Sequence, residues 1–118
     1  MKRLHLNAAQ FQANAADAAR LLRALANERR LMILCQLADG ERTVGELMPM
    51  IGISQSALSQ HLAVLRDDEL VATRRNGQSI LYRIADPAAA RVMATLAEIF
   101  CADDLETVDA QDAHSADA

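Results

Sequence analysis

The feature that most constrains the fold is a change of hydrophobic period near residue 70. Before it, in ISQSALSQHLAVLRDDEL, Leu58, Leu62 and Leu65 recur at helical spacing, which predicts a helix with one buried face. After it, in VATRRNGQSILYRI, apolar and polar residues alternate, which predicts two strands, and Asn76-Gly77 between them predicts a hairpin turn. A helix followed directly by a small hairpin permits few architectures.

Four other helices are predicted around these elements. The first covers residues 8 to about 26, and the last begins at Pro87, a residue type favoured in the first helical turn. The apolar stripe of the last helix consists of Val92, Met93, Leu96, Ile99 and Phe100. The remaining boundaries are marked by Asn27 as an N-cap, Gly40 as a stop, Thr43 with Glu46 as a capping box, Gly52 as a stop and Ser54 as an N-cap.

This order of elements predicts a mainly α fold with a small β-hairpin. A short helix, a glycine-marked turn and a polar-faced helix form a helix-turn-helix, and the hairpin after it forms a wing. We expect one winged helix-turn-helix domain over residues 1–102 and an acidic disordered tail over residues 103–118. The apolar stripes of the first and last helices predict a homodimer through these helices, although the same stripes also fit a core alone.

The net charge of −4 at first argues against a nucleic-acid partner, but the charges are unevenly distributed. All 12 Lys and Arg residues lie at or before Arg91, whereas six of the 16 acidic residues follow residue 102. Residues 1–102 therefore carry twelve basic against ten acidic side chains, a net charge of +2. Because only 3% of the residues are aromatic, few side chains are left for stacking on single strands, and duplex DNA is favoured.

The polar side of the helix that carries Leu58 offers candidates for reading bases. A helix fits the major groove, and glutamine pairs bidentately with adenine there. Arginines at the base of the hairpin suit phosphates, which position a protein without specifying sequence. An ordinary solvated surface is the alternative for the same residues. The predicted DNA-binding residues are Gln55, Ser56, Ser59, Gln60, His61, Arg66, Arg74, Arg75, Asn76 and Gln78.

Three segments together resemble the ArsR/SmtB family of winged-helix repressors, namely LLRALANERRLMILCQL, SQSALSQHLAVLRDDELV and TRRNGQSILYRI. The resemblance implies a homodimer without enzymatic activity that binds operator DNA and releases it on sensing an inducer. Where the family's arsenic and cadmium sensors carry Cys-x-Cys, this chain has Met48 and Met50. Its last helix supplies Asp86 and Glu98 but no histidine of the kind that zinc sensors place there. We therefore expect no metal and no cofactor.

The two cysteines, Cys35 and Cys101, stand in the second helix and at the end of the last. With GELMPMIGISQSALSQHLAVLR, they resemble the thiol-based branch that includes BigR, SqrR and HlyU, whose members respond to persulfides, polysulfides or oxidants. The resemblance implies that Cys35 and Cys101 are the redox-sensing pair, bridged by a disulfide or polysulfide. It also implies control of sulfide-detoxification genes. Two inert core cysteines are the alternative.

Two further functions stay open at this point. One is a metal-responsive repressor of the same fold that uses both cysteines with a carboxylate. The other, a thiol oxidoreductase, is disfavoured because the chain has no Cys-x-x-Cys motif. No run of apolar residues is long enough to span a membrane, so we expect a cytoplasmic protein with no membrane partner. In the cytoplasm we expect both cysteines to be thiols and not to form a structural disulfide.

Overall fold

A computed structural model describes residues 6–101, which form five helices and two strands. In chain order these are α1 (Ala8–Leu25), α2 (Glu28–Ala38), α3 (Val44–Ile51), α4 (Gln55–Asp67), β1 (Val71–Asn76), β2 (Ser79–Ile84) and α5 (Pro87–Phe100). The predicted winged helix-turn-helix is confirmed: α3 and α4 form the helix-turn-helix, and the antiparallel hairpin of β1 and β2 is the wing. The predicted tail lies outside the described residues, and none of the helices within them is long and apolar enough to cross a membrane.

The predicted helix starts are fixed by side chains that satisfy free N–H groups of each first turn. The Asn27 and Ser54 side chains each accept a backbone N–H hydrogen bond at 3.1 Å. Thr43 and Glu46 form the predicted capping box: the Thr43 hydroxyl accepts from the Glu46 N–H at 3.1 Å, and the Glu46 carboxylate accepts from the Thr43 N–H at 2.8 Å. Because a cap stabilises a helix by about 1 kcal/mol, α3 and α4 begin at defined residues.

The turn between α3 and α4 depends on a glycine in the left-handed region. Gly52 follows the end of α3 with a φ of 77°. We expect Gly52→Ala to lower the free energy of unfolding by about 1 kcal/mol, because a Cβ is strained at this φ. The matched control is Gly45→Ala inside α3, where a Cβ would lie 3.8 Å from the Thr43 hydroxyl oxygen and where alanine is the better helix former. Urea unfolding of both variants measures the difference. Equal free energies of unfolding would contradict the requirement for a glycine in the turn after α3.

Most of the core consists of aliphatic side chains from α2, α3 and α4, and α1, β1 and α5 add a few buried residues. The predicted stripe of Leu58, Leu62 and Leu65 on α4 is buried, which confirms the helical period seen in the sequence. The largest fully buried side chains are Ile33, Leu34, Leu47, Leu58, Leu62 and Leu65. Because the core holds one face of α4, the opposite face of this helix projects into solvent.

The turn of the wing lies one residue later than the Asn-Gly signal indicates. Asn76 pairs with Ser79 in the strand ladder, so the two loop residues are Gly77 and Gln78. Gly77 has a φ of 68°, and Gln78 has no positive φ. A glycine at the first loop position fits a type II′ turn, whereas Asn-Gly as the loop would favour type I′. The exposed Asn76 side chain therefore belongs to a strand rather than to the tip.

The first and last helices leave large apolar side chains in solvent. On α1, Phe11 is 50% exposed and Leu22 is 59% exposed. At the end of α5, Ile99 and Phe100 are 62% and 77% exposed. Among the residues of α5, only Ala89 is fully buried. The core of one chain therefore covers only part of these two predicted stripes.

Candidate nucleic-acid interface and thiol site

The exposed side of α4 presents four short polar side chains, Gln55, Ser56, Ser59 and Gln60, which we call the reading face. Its opposite side is the buried leucine stripe, and the Ser54 cap fixes where the helix begins. A helix mounted in this way has the dimensions that a major groove admits, and its polar side chains are of the types that hydrogen-bond to base edges. Nine of the ten predicted DNA-binding residues are exposed, and the tenth, His61, is half-buried.

His61 lies at the edge of the reading face, on the side toward α2. Burial, and to a smaller extent the positive charges of Arg30 and Arg29, lower the pKa of its imidazole, which favours the neutral form of His61. Both arginines cap neighbouring helices. The Arg29 guanidinium donates to the Ile51 carbonyl at the end of α3 at 3.2 Å, and the Arg30 Nε donates to the Ala24 carbonyl near the end of α1 at 2.6 Å. The sequence prediction did not assign these two capping roles.

The wing carries the remaining candidates, and the structure separates its two arginines. Arg75 is exposed, and its guanidinium lies 3.5 Å from the Gly77 carbonyl. Arg74 is instead paired with Glu41 in the loop after α2. The hydrogen bond from Arg74 is the main reason that the pKa of the Glu41 carboxyl is lowered. That Arg74 binds phosphate stays a prediction, and here its guanidinium is already paired with Glu41, a partner that no local pattern in the sequence singles out.

The two cysteines line one cavity between α2 and α5. Its volume is about 430 Å³, and apart from the thiols its walls are apolar. We call it the thiol cavity, and its residues are Leu31, Met32, Cys35, Ala38, Met93, Leu96, Ala97, Phe100 and Cys101. Both cysteines are free and exposed, which contradicts the alternative that they are core residues.

Cys101 is the C-cap of α5, and its backbone N–H donates to the Ala97 carbonyl at 2.7 Å. Cys35 lies in the third turn of α2, where its neighbour Leu34 is fully buried. Both cysteines are thus fixed at the backbone by helices, while their side chains reach solvent. Among residues 6–101, no three His, Cys, Asp or Glu side chains cluster closely enough to hold a metal ion.

Comparisons with known proteins give one family in sequence and structure. Residues 27–73 match the sequence model of a protein family that is described as "Bacterial regulatory protein, arsR family". Transcriptional activator HlyU of Vibrio cholerae serotype O1 is 45% identical over 101 residues, which cover 86% of this chain and 94% of HlyU. The crystal structure of the transcriptional repressor BigR from Xylella fastidiosa has a TM-score of 0.76 and 43% identity, and the match covers 81% of this chain and 98% of that chain.

A third match is the solution NMR structure of the homodimeric winged helix-turn-helix DNA-binding domain of Mb0332 from Mycobacterium bovis. It has a TM-score of 0.66 and 39% identity, and the match covers 82% of this chain and 90% of that domain. The same arrangement of helices and wing therefore recurs in BigR and in the Mb0332 domain, which are 43% and 39% identical to this chain.

Proposed function

Since this chain belongs to the arsR family of bacterial regulatory proteins, we propose that it is a homodimeric repressor that a bridge between Cys35 and Cys101 releases from operator DNA. The family consists of DNA-binding transcriptional regulators and not of enzymes. The inducer is a persulfide or polysulfide, or an oxidant, and the regulated genes serve sulfide detoxification. The single observation that carries the proposal is that both cysteines line one cavity.

The proposed chemistry is thiol–disulfide exchange with a sulfane sulfur. One cysteine thiolate attacks the outer sulfur of a persulfide R–S–SH, so that the cysteine becomes a persulfide and R–S⁻ leaves. The second thiolate attacks the cysteine sulfur of this persulfide, closing a disulfide and releasing HS⁻. The two thiols lose two electrons, which reduce the sulfane sulfur to sulfide. Further transfers before closure leave extra sulfur atoms in the bridge.

The thiol cavity supports a bridge of either length. A plain disulfide requires Cα atoms within about 7 Å, whereas additional sulfur atoms span a wider gap. A cavity of about 430 Å³ with apolar walls has room for a short sulfur chain without burying charged groups beside it. Apolar walls suit the uncharged sulfur bridge that forms, and a bridge of either kind would fix α2 to α5.

The proposed dimer is what couples the bridge between the cysteines to DNA binding. Phe11 and Leu22 on α1, together with Ile99 and Phe100 on α5, offer an exposed apolar surface for a second copy. The homodimeric domain of Mb0332 is a structural precedent for such an assembly. A dimer places two α4 helices on half-sites about 34 Å apart. Strain between α2 and α5 would change this spacing, and about 1.4 kcal/mol of coupling corresponds to tenfold in affinity.

The reading face is proposed to contact bases, with His61 at its edge. Arg66, Arg75, Asn76 and Gln78 are proposed to contact the DNA backbone, and Arg74 contacts it when it leaves Glu41. We expect Gln60→Ala to weaken operator binding by about 1–3 kcal/mol, because a bidentate base contact is lost. Since Gln60 is exposed, the free energy of unfolding should stay unchanged. Gln12→Ala, at an exposed glutamine of α1, is the matched control and should bind normally. Fluorescence anisotropy measures both variants, and normal binding by Gln60→Ala would show that Gln60 makes no base contact.

The experiment that tests the proposed function begins with a duplex selected from random sequences by the reduced protein. This duplex is then titrated with reduced and with polysulfide-treated protein. A third titration adds zinc or copper to the reduced protein in place of polysulfide. Release by metal with the thiols still reduced would identify a metal-responsive repressor instead, and turnover of a disulfide substrate would identify an oxidoreductase.

A further inference from the structure

One of the two wing arginines is held by an acidic residue from a distant part of the chain. The Arg74 Nε lies 2.8 Å from Oε2 and 3.0 Å from Oε1 of Glu41, and its Nη2 lies 2.8 Å from Oε1. The guanidinium therefore forms a bidentate pair with the carboxylate through two nitrogens, the geometry in which arginine also binds phosphate. The pair lies at the surface, since 51% of the Arg74 side chain and 28% of the Glu41 side chain are exposed.

The backbone beside Glu41 is fixed to the wing. Arg42 and Tyr82 exchange two backbone hydrogen bonds, of 3.1 Å and 2.8 Å, so this segment lies along the free edge of β2. Arg74 sits on the face of the hairpin opposite Tyr82, which packs against the core. Glu41 therefore stays beside the path of the Arg74 side chain, and Arg74 has to leave the carboxylate to bind anything else with the same two nitrogens.

We infer that Glu41 competes with DNA phosphate for Arg74 and so limits the affinity of the wing for DNA. An exposed ion pair contributes little net stability, so a phosphate can replace the carboxylate, but the exchange leaves Glu41 as an unpaired negative charge near the DNA backbone. The neighbouring Arg75 has no acidic partner among the described residues, and the one hydrogen bond of its side chain there is a long one of 3.5 Å to the Gly77 carbonyl. This inference rests on DNA binding by the family and is independent of the thiol switch.

The test measures binding of Glu41→Gln to a random-sequence duplex at several salt concentrations. We expect affinity to rise about threefold to tenfold at low salt and the slope of log affinity against log salt to become steeper by about two for the dimer, because each subunit forms one more phosphate contact. Glu98→Gln, near the C-terminal end of α5, removes an equal charge from an exposed acidic residue outside the wing, and it should leave the slope unchanged. Glu41→Ser, a second variant at the same position, should behave as Glu41→Gln does.

A double-mutant cycle separates competition for Arg74 from a general gain of positive charge. In an Arg74→Ala background, Glu41→Gln should change affinity no more than Glu98→Gln does. Unchanged or weaker binding by Glu41→Gln, with a normal thermal unfolding midpoint, would overturn the inference and make Glu41 a residue that positions Arg74 for DNA. An equal gain with and without Arg74 would also overturn it, because Glu41 would then act only through its charge.

Discussion

Treatment of the reduced protein with polysulfide is expected to weaken its binding to the selected operator about tenfold or more. A bridge between Cys35 and Cys101 joins α2 to α5, and a coupling of about 1.4 kcal/mol to the dimer geometry is enough for this change. Anisotropy titration before and after treatment measures the loss, and intact mass counts the sulfur atoms in the bridge. Reduction with a small dithiol should restore binding, because exchange reopens the bridge.

Cys35→Ser and Cys101→Ser are the matched variants, since serine replaces only the sulfur atom. Each variant should bind DNA when untreated and remain bound after polysulfide, because one thiol alone closes no bridge. The remaining cysteine should still gain sulfur in the mass spectrum, which shows that the reagent has reached it. Release of DNA by either variant after treatment would rule out a switch that needs both thiols.

Leu58→Ala is expected to produce the largest loss of stability among the substitutions considered. Leu58 is fully buried within the aliphatic core, on the side of α4 opposite the reading face. Removal of a buried leucine side chain costs about 2–5 kcal/mol, because transfer free energy is lost and a cavity remains. Urea unfolding monitored by circular dichroism measures the change in the free energy of unfolding.

The control for this substitution lies on the same helix. Val64 is 38% exposed, so Val64→Ala should cost less than about 1 kcal/mol. Below its unfolding transition, Leu58→Ala should keep most of its affinity for DNA, since its reading face is intact. If the two variants lost equal stability, α4 would not pack through the leucine stripe that the structure shows.

The sequence alone was sufficient for the helices, the leucine stripe of α4 and the presence of a wing. These features follow from short-range rules: caps bind N–H groups within three residues, and hydrophobic residues repeat with the period of their own helix. Thr43 with Glu46, and Leu58 with Leu62, are such local pairs, and the structure confirms both. The reading face could be predicted for the same reason, as the polar side of one helix.

The position of the wing turn is a feature that the local sequence signal did not predict correctly. Asn76-Gly77 correctly indicated a hairpin, but the pairing of Val71 with Ile84 at the other end of the strands sets the register. That register places the loop at Gly77-Gln78 and leaves Asn76 in the ladder. A turn preference is worth less than the packing of two apolar residues beside the core, so the tertiary contact decides.

Only the tertiary structure decided which charged and sulfur-bearing side chains meet. Arg74 pairs with Glu41, burial and to a smaller extent Arg30 and Arg29 lower the pKa of His61, and the two cysteines line one cavity. The partners in each of these contacts lie far apart in the chain, and packing of whole helices and strands brings them together. A sequence pattern specifies which face of an element is apolar, whereas the docking of those faces determines the polar neighbours, and so this part of the site appears only in the folded chain.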